Sequence, residues 1–199
     1  MVWKPSAAAL RQMLHDHGLW LHTKHVSPLS GAMRQGKQAD LSRADLRGAD
    51  LSGVDLREAT LREADLSRAN LFLATLDRAD CTAAIFRGAD LAGAGLGATN
   101  LTRADLREAD LTSAEMSGVR FLGADFRGAI VENVDIYAVQ WTQLAEDHLP
   151  DSQAWRLAWR LGKEEAERLT QAHERCGKDQ PSAARPLRSG RGYDLGGGR

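Results

Sequence analysis

The sequence predicts an all-β solenoid flanked by short helical segments, and three observations predict it. From Ala39 to Gln143 the chain reads as 21 five-residue words with no slip in register, beginning ADLSR, ADLRG, ADLSG, VDLRE. The third letter is Leu thirteen times, otherwise Cys81, Phe86, Met116, Phe121, Phe126, Val131, Ile136 or Trp141. The first letter is Ala sixteen times, with Val54, Val119, Val134, Val139 and Thr99 as the exceptions. The remaining letters are mostly Asp, Arg, Ser, Thr, Glu and Gly.

A period of five fits no simple element. On a helix each step of five advances by about 140°, so the leucines would circle the axis. On a flat strand an odd step sends successive leucines to opposite faces. The pattern requires a corner in every word, with Leu and Ala kept inside, which describes a solenoid. Ala is required at the first letter because the corner has no room for more. AGLGA (94–98) and TNLTR (99–103) depart most from the pattern, and the stack is expected to be loosest there.

Words such as ADLSR, ADLRG, ADLSG and ADFRG resemble the pentapeptide-repeat family, whose pattern is Ala–Asp/Asn–Leu–any–any. The resemblance covers residues 39–143. It implies a right-handed quadrilateral β-helix with four words per coil, hence about five coils; spacing alone does not separate three sides from four. Stacked at about 4.8 Å, such coils form a rod roughly 25 Å long.

Open rod ends expose unpaired edges that natural proteins cover. Residues 1–38 are read as an N-terminal helix-and-loop cap. Ser6 N-caps a short helix to His17, Leu10, Met13, Leu14 and His17 share a face, Gly18 ends it, and LWL (19–21) leads into a loop. The family resemblance implies the same capping role for this leader. Residues 144–176 are read as a helical cap or dimerisation segment, with a main helix over 152–176 preceded by a shorter one over 143–149. Trp155 and Trp159 lie along one side of the main helix, with Leu157 and Leu161 on another, so its first half is apolar most of the way round. Two tryptophans and two leucines exceed what one rod end buries, which favours a two-fold homodimer through this helix. Residues 177–199, rich in Gly, Pro and Arg, are expected to be disordered.

The formal charge is -1, with 26 Lys/Arg against 27 Asp/Glu. That balance argues against direct nucleic-acid binding, which shows a basic surplus. It hides an asymmetry: residues 39–143 carry 17 Asp/Glu and 11 Arg without Lys, and the flanks are basic. The chain has no stretch long and apolar enough for a membrane span and no basic-then-apolar leader, so a soluble, cytoplasmic protein is predicted. Cys81 and Cys176 are the two cysteines, without the spacing of a zinc site or a disulfide framework.

Candidate chemistry is sparse. His15, His17, His22 and His25 crowd together, but with no cysteine and only Asp16 beside them they define no metal site. No nucleophile–base pair or Gly-rich phosphate loop is present, and Cys81 falls at a core position. The prediction is no catalytic residue, no cofactor and no metal.

Folding the repeats into four columns makes the surface informative. One column carries Arg47, Ser67, Arg87, Arg107 and Arg127 after the central letter and Asp45, Asp65, Ile85, Asp105 and Asp125 before it. This arginine ladder beside an aspartate ladder reads first as mutual neutralisation and second as a partner-binding stripe. The adjoining column reads Ser52-Gly53, Phe72-Leu73, Ala92-Gly93, Thr112-Ser113 and Glu132-Asn133, which places Phe72 and Leu73 outward on a face of small residues. Two protruding apolar neighbours suggest a contact site.

Three functional readings follow. The first is a non-catalytic protein-interaction scaffold with a protein partner. The second comes from the resemblance: some family members mimic duplex DNA and bind type II topoisomerases, protecting them from quinolones. About 25 Å of duplex carries roughly fifteen phosphates, whereas the repeats carry a net of -6, from 17 Asp/Glu and 11 Arg. The third is a secreted effector-associated module.

Overall fold

The backbone of most words uses its five N–H groups in the same way. The computed structural model describes residues 3–24, 36–134, 145–151, 155, 156 and 159. Parallel bridges join residues twenty apart, from Asp40 with Thr60 to Asp110 with Ile130, so four words complete one turn. The second-letter N–H donates to the coil before, as Asp65 does to the Ala44 carbonyl at 2.9 Å. Third- and fifth-letter N–H groups donate to the coil after, as Leu46 does to Asp65 (2.8 Å) and Gly48 to Ser67 (3.0 Å).

The remaining two N–H groups make the corner. The first-letter N–H donates to the third-letter carbonyl before it, as Ala44 does to Leu41 at 3.0 Å. Every fifth letter from Arg43 to Asn133 has φ between +55° and +70°, while the fourth letters stay at negative φ. A positive φ at the second corner residue alone is a type II turn. The fourth-letter N–H is taken by the second-letter side chain of its own word, as when Asp105 Oδ1 accepts from Arg107 N at 3.1 Å. Asp or Asn recurs at the second letter because a short side chain there reaches the one backbone donor that the ladder leaves over.

The interior is the column of first and third letters. Leu41, Leu61, Cys81, Leu101 and Phe121, stacked on one wall, are all fully buried. The expected loosening at residues 94–103 is corrected. Leu96 and Thr99 are fully buried, and Leu96 N and Ala98 N keep their bonds to the next coil at 2.8 Å each. Thr99 fits an alanine position because its hydroxyl donates to the Leu76 carbonyl at 2.7 Å.

Helix α1 spans Ala7–Thr23, with Ser6 at its N-cap accepting from Ala9 N at 3.1 Å. The expected stop at Gly18 and the separate LWL segment are therefore corrected: both lie inside α1. A helical glycine costs about 1 kcal/mol against alanine. Contacts on both sides of it offset that cost, because Trp20 stacks on His17 with centroids 5.7 Å apart and Lys24 stands over the Trp20 ring.

Leu10, Met13 and Leu14 pack on the first coil, where His17 Nδ1 accepts from Ala39 N at 3.0 Å. Trp3 lies parallel to Ala44 and supplies the carbonyl that an earlier coil would give Asp45 N, at 2.7 Å. The far end has an analogous arrangement. Phe126 N, which would bond the next coil, donates to the His148 carbonyl at 2.9 Å, beside a short 3-10 turn over Glu146–His148. Leu149 and Trp155 are each 1% exposed, with the Trp155 ring 5.5 Å from that of Phe126.

Candidate interaction faces

Four walls result, each repeating one word per coil. On the arginine wall, Arg47, Arg107 and Arg127 each clamp the aspartate of their own word, at 2.8, 2.6 and 2.6 Å. Arg47 and Arg107 also reach the next coil's Asp65 and Asp125, at 3.7 and 3.8 Å. The Arg47 and Arg107 guanidiniums hold the Asp45 and Asp105 carboxyls below the usual aspartate range. Arg87 differs, because Ile85 occupies its aspartate position, and it pairs with Glu108 at 2.8 Å. The ladder is thus a largely self-neutralised stripe, with a recess of about 540 Å³ around Ser67.

The adjoining wall carries Phe72 and Leu73, 47% and 56% exposed. Leu73 lies over Gly93, where its Cδ2 would stand 2.7 Å from an added Cβ. Ile85, named above in the aspartate column, is also exposed, and the columns left out two further exposed apolar side chains, Leu122 and Ile130, the last on the same wall as Phe72. Ile85 and Ile130 were detectable as apolar letters in the usual Asp/Asn position.

The third wall holds a polar hollow of about 590 Å³ over Gly97 and Ala98, bordered by Lys24, Arg57, Arg78, Glu58, Asp77 and Glu115. AGLGA creates it by removing outward side chains.

The fourth wall contains Cys81, whose thiol is pushed well up by full burial and then by the nearby Asp80 charge. A thiol held protonated in a filled core is not a nucleophile. In α1, His22 Nδ1 lies 2.8 Å from the Gly18 carbonyl and His17 is buried against the first coil. Among the described residues no group of three or more His, Cys, Asp or Glu side chains could hold a metal ion. No described helix is long and apolar enough to cross a membrane. Of the C-terminal contact residues, Trp155 is buried and Trp159 packs partly buried on the same core. Leu157, Leu161 and residues 160–199, and with them the dimer helix and the tail, lie outside the described residues.

These features define a four-sided parallel β-solenoid with a filled interior and flat outer walls. The family model for pentapeptide repeats matches eight copies over residues 39–76 and 96–133. The chain is 33% identical to the pentapeptide repeat protein Rfr23 from the cyanobacterium Cyanothece 51142, aligning over 49% of this chain and 67% of that one, with a TM-score of 0.48. It is 31% identical to a pentapeptide repeat protein from the Arabidopsis thaliana thylakoid lumen, over 46% of this chain and 64% of that one, with a TM-score of 0.45. This chain thus spans slightly under two thirds of the thylakoid protein. A further similarity is to QnrB1, a plasmid-mediated fluoroquinolone resistance protein, at 25% identity over 62% of this chain and 63% of that one, with a TM-score of 0.31. No curated protein matches. The chain belongs to the pentapeptide-repeat family, whose members fold as right-handed β-helices and are generally structural or interaction proteins.

Proposed function

We propose that this chain is a non-catalytic protein-interaction scaffold that meets its partner through the wall carrying Phe72 and Leu73. The observation that supports this reading is the exposure of that pair, 47% and 56%, amid Ser52, Gly53, Ala92, Gly93, Thr112 and Ser113. An aromatic and an aliphatic side chain raised among small residues, on a wall whose charges are Asp50, Asp90, Asp110 and Glu132, supply the apolar anchor of an interface. The rod comprises about five coils, with α1 as the cap at one end and the segment around Trp155 at the other. The packing of Trp155 and Trp159 on the rod's own core supports a capped monomer over a dimer built on that helix. Self-neutralisation of the arginine wall weighs against mimicry of duplex DNA.

Affinity capture with wild type and a Phe72→Asp/Leu73→Asp variant tests the proposal. A protein retained by wild type and lost by the variant, with unchanged melting, supports the reading. Equal retention by both removes this wall from the interface.

A further inference from the structure

We propose that the recess on the arginine wall binds a multivalent oxyanion, a phosphoryl group or a cluster of carboxylates, between the guanidiniums of Arg47, Arg68 and Arg87. Each word of this wall pairs an Asp with an Arg, and the pairing fails at two successive coils. Ser67 stands where an arginine recurs, and Ile85 where an aspartate recurs. The first substitution opens the hollow of about 540 Å³, with Gly48 and Gly88 also lining it. The second leaves Arg87 without an aspartate in its own word.

Arg68 is the third cation, and among the described residues it makes no ion pair. It occupies a corner at φ +57°, and its Cγ would stand 3.7 Å from a Cβ added to Gly88, so its stem runs along the edge of the hollow. Successive rungs are about 4.8 Å apart, which puts the three arginines on coils within roughly 10 Å. Planar guanidiniums match the paired oxygens of phosphate and carboxylate. Three internal competitors are present: Asp45 and Asp65 hold Arg47, and Glu108 holds Arg87. A single carboxylate would gain little over them. An anion with several oxygens can engage Arg68 and draw Arg87 from Glu108 together.

Calorimetric titration of the full chain at low ionic strength, where exposed charges are least screened, with inorganic pyrophosphate and separately with citrate tests this. Binding of pyrophosphate over citrate assigns a phosphoryl ligand, and the reverse order assigns carboxylates. Arg68→Ala should weaken the preferred anion about tenfold, and Arg127→Ala, on the same wall outside the recess, should leave it unchanged. Ile85→Asp, which gives Arg87 its own-word partner and changes no arginine, should also weaken binding, while Glu108→Gln should tighten it. The proposal is overturned if neither anion binds, if Arg68→Ala binds as wild type does, or if Arg127→Ala loses as much as Arg68→Ala.

Discussion

Asp77 Oδ1 accepts a hydrogen bond from Gly97 N at 2.7 Å, across one coil of the solenoid. In most words that fourth-letter N–H belongs to the second letter of the same word, but here the second letter is Gly95, which has no side chain. The carboxylate from the preceding coil takes over the missing role. The AGLGA word therefore keeps its corner although the Ala98 methyl is its one outward side chain.

Removing that carboxylate should expose the dependence. Asp77→Ala is expected to lower stability by about 1 kcal/mol, the usual net worth of one hydrogen bond. Adding Gly95→Asn to Asp77→Ala restores an own-word acceptor and should recover most of the loss. Chemical denaturation of the two variants and wild type checks this. A silent Asp77→Ala would show that solvent satisfies Gly97 N equally well.

The corners give an opposite pair of expectations. Gly48 has φ +63° and open space around a would-be Cβ, so Gly48→Ala tests backbone strain without a clash. The strain of about 1–2 kcal/mol, less the roughly 0.4–1 kcal/mol by which alanine restricts the unfolded chain, should leave a net loss of about 1 kcal/mol. Ala83 sits at φ +57°, and Ala83→Gly should relieve similar strain. Greater freedom of glycine in the unfolded chain cancels about 0.4–1 kcal/mol of that relief. The net expectation is a gain of up to about 1 kcal/mol. Thermal melts that move in the same direction for both variants would contradict a type II turn at these corners.

The sequence made the interior legible because inward letters are chemically uniform: Leu or Phe at the centre, Ala at the corner. The pairing of fifth letters with positive φ was not legible, since Arg, Glu, Leu and Gly all occur there and the turn imposes the angle on each. The second-letter aspartates read as surface charge, whereas their oxygens cap a backbone donor. Column reading placed Phe72 and Leu73 together on the outside but treated the arginines as one stripe. The gap at Ser67 and Ile85 gains meaning only once Arg68, from the neighbouring letter, is seen beside it. Gly18 misled because a glycine after an amphipathic run usually ends a helix, and nothing local reveals that His17 ties this part of α1 to the first coil.

His17 should make the N-terminal end sensitive to mild acid. Burial lowers its pKa, against the opposing pull of the Arg57 carbonyl and the Asp55 and Glu58 carboxylates, while Lys24 lowers it further. Its Nδ1 accepts from Ala39 N, so the neutral ring is the one the fold uses. A histidine with a folded pKa below its unfolded value of 6.5 contributes fully above that pH. Below it the unfolded chain binds more protons, and stability falls with pH until the folded pKa is reached. The lowered carboxyls of Asp45, Asp55 and Asp105 add a second loss that begins only near their ordinary value of 3.8. Stability against pH should therefore decline in two stages, first from about pH 6.5 and again below about pH 4. His17→Phe forfeits the bond to Ala39 N and should be less stable than wild type at pH 7.5, yet it should lack the first decline. Denaturation midpoints from pH 7.5 to 3 for both proteins decide it, and a first decline that survives in His17→Phe would assign it to another group.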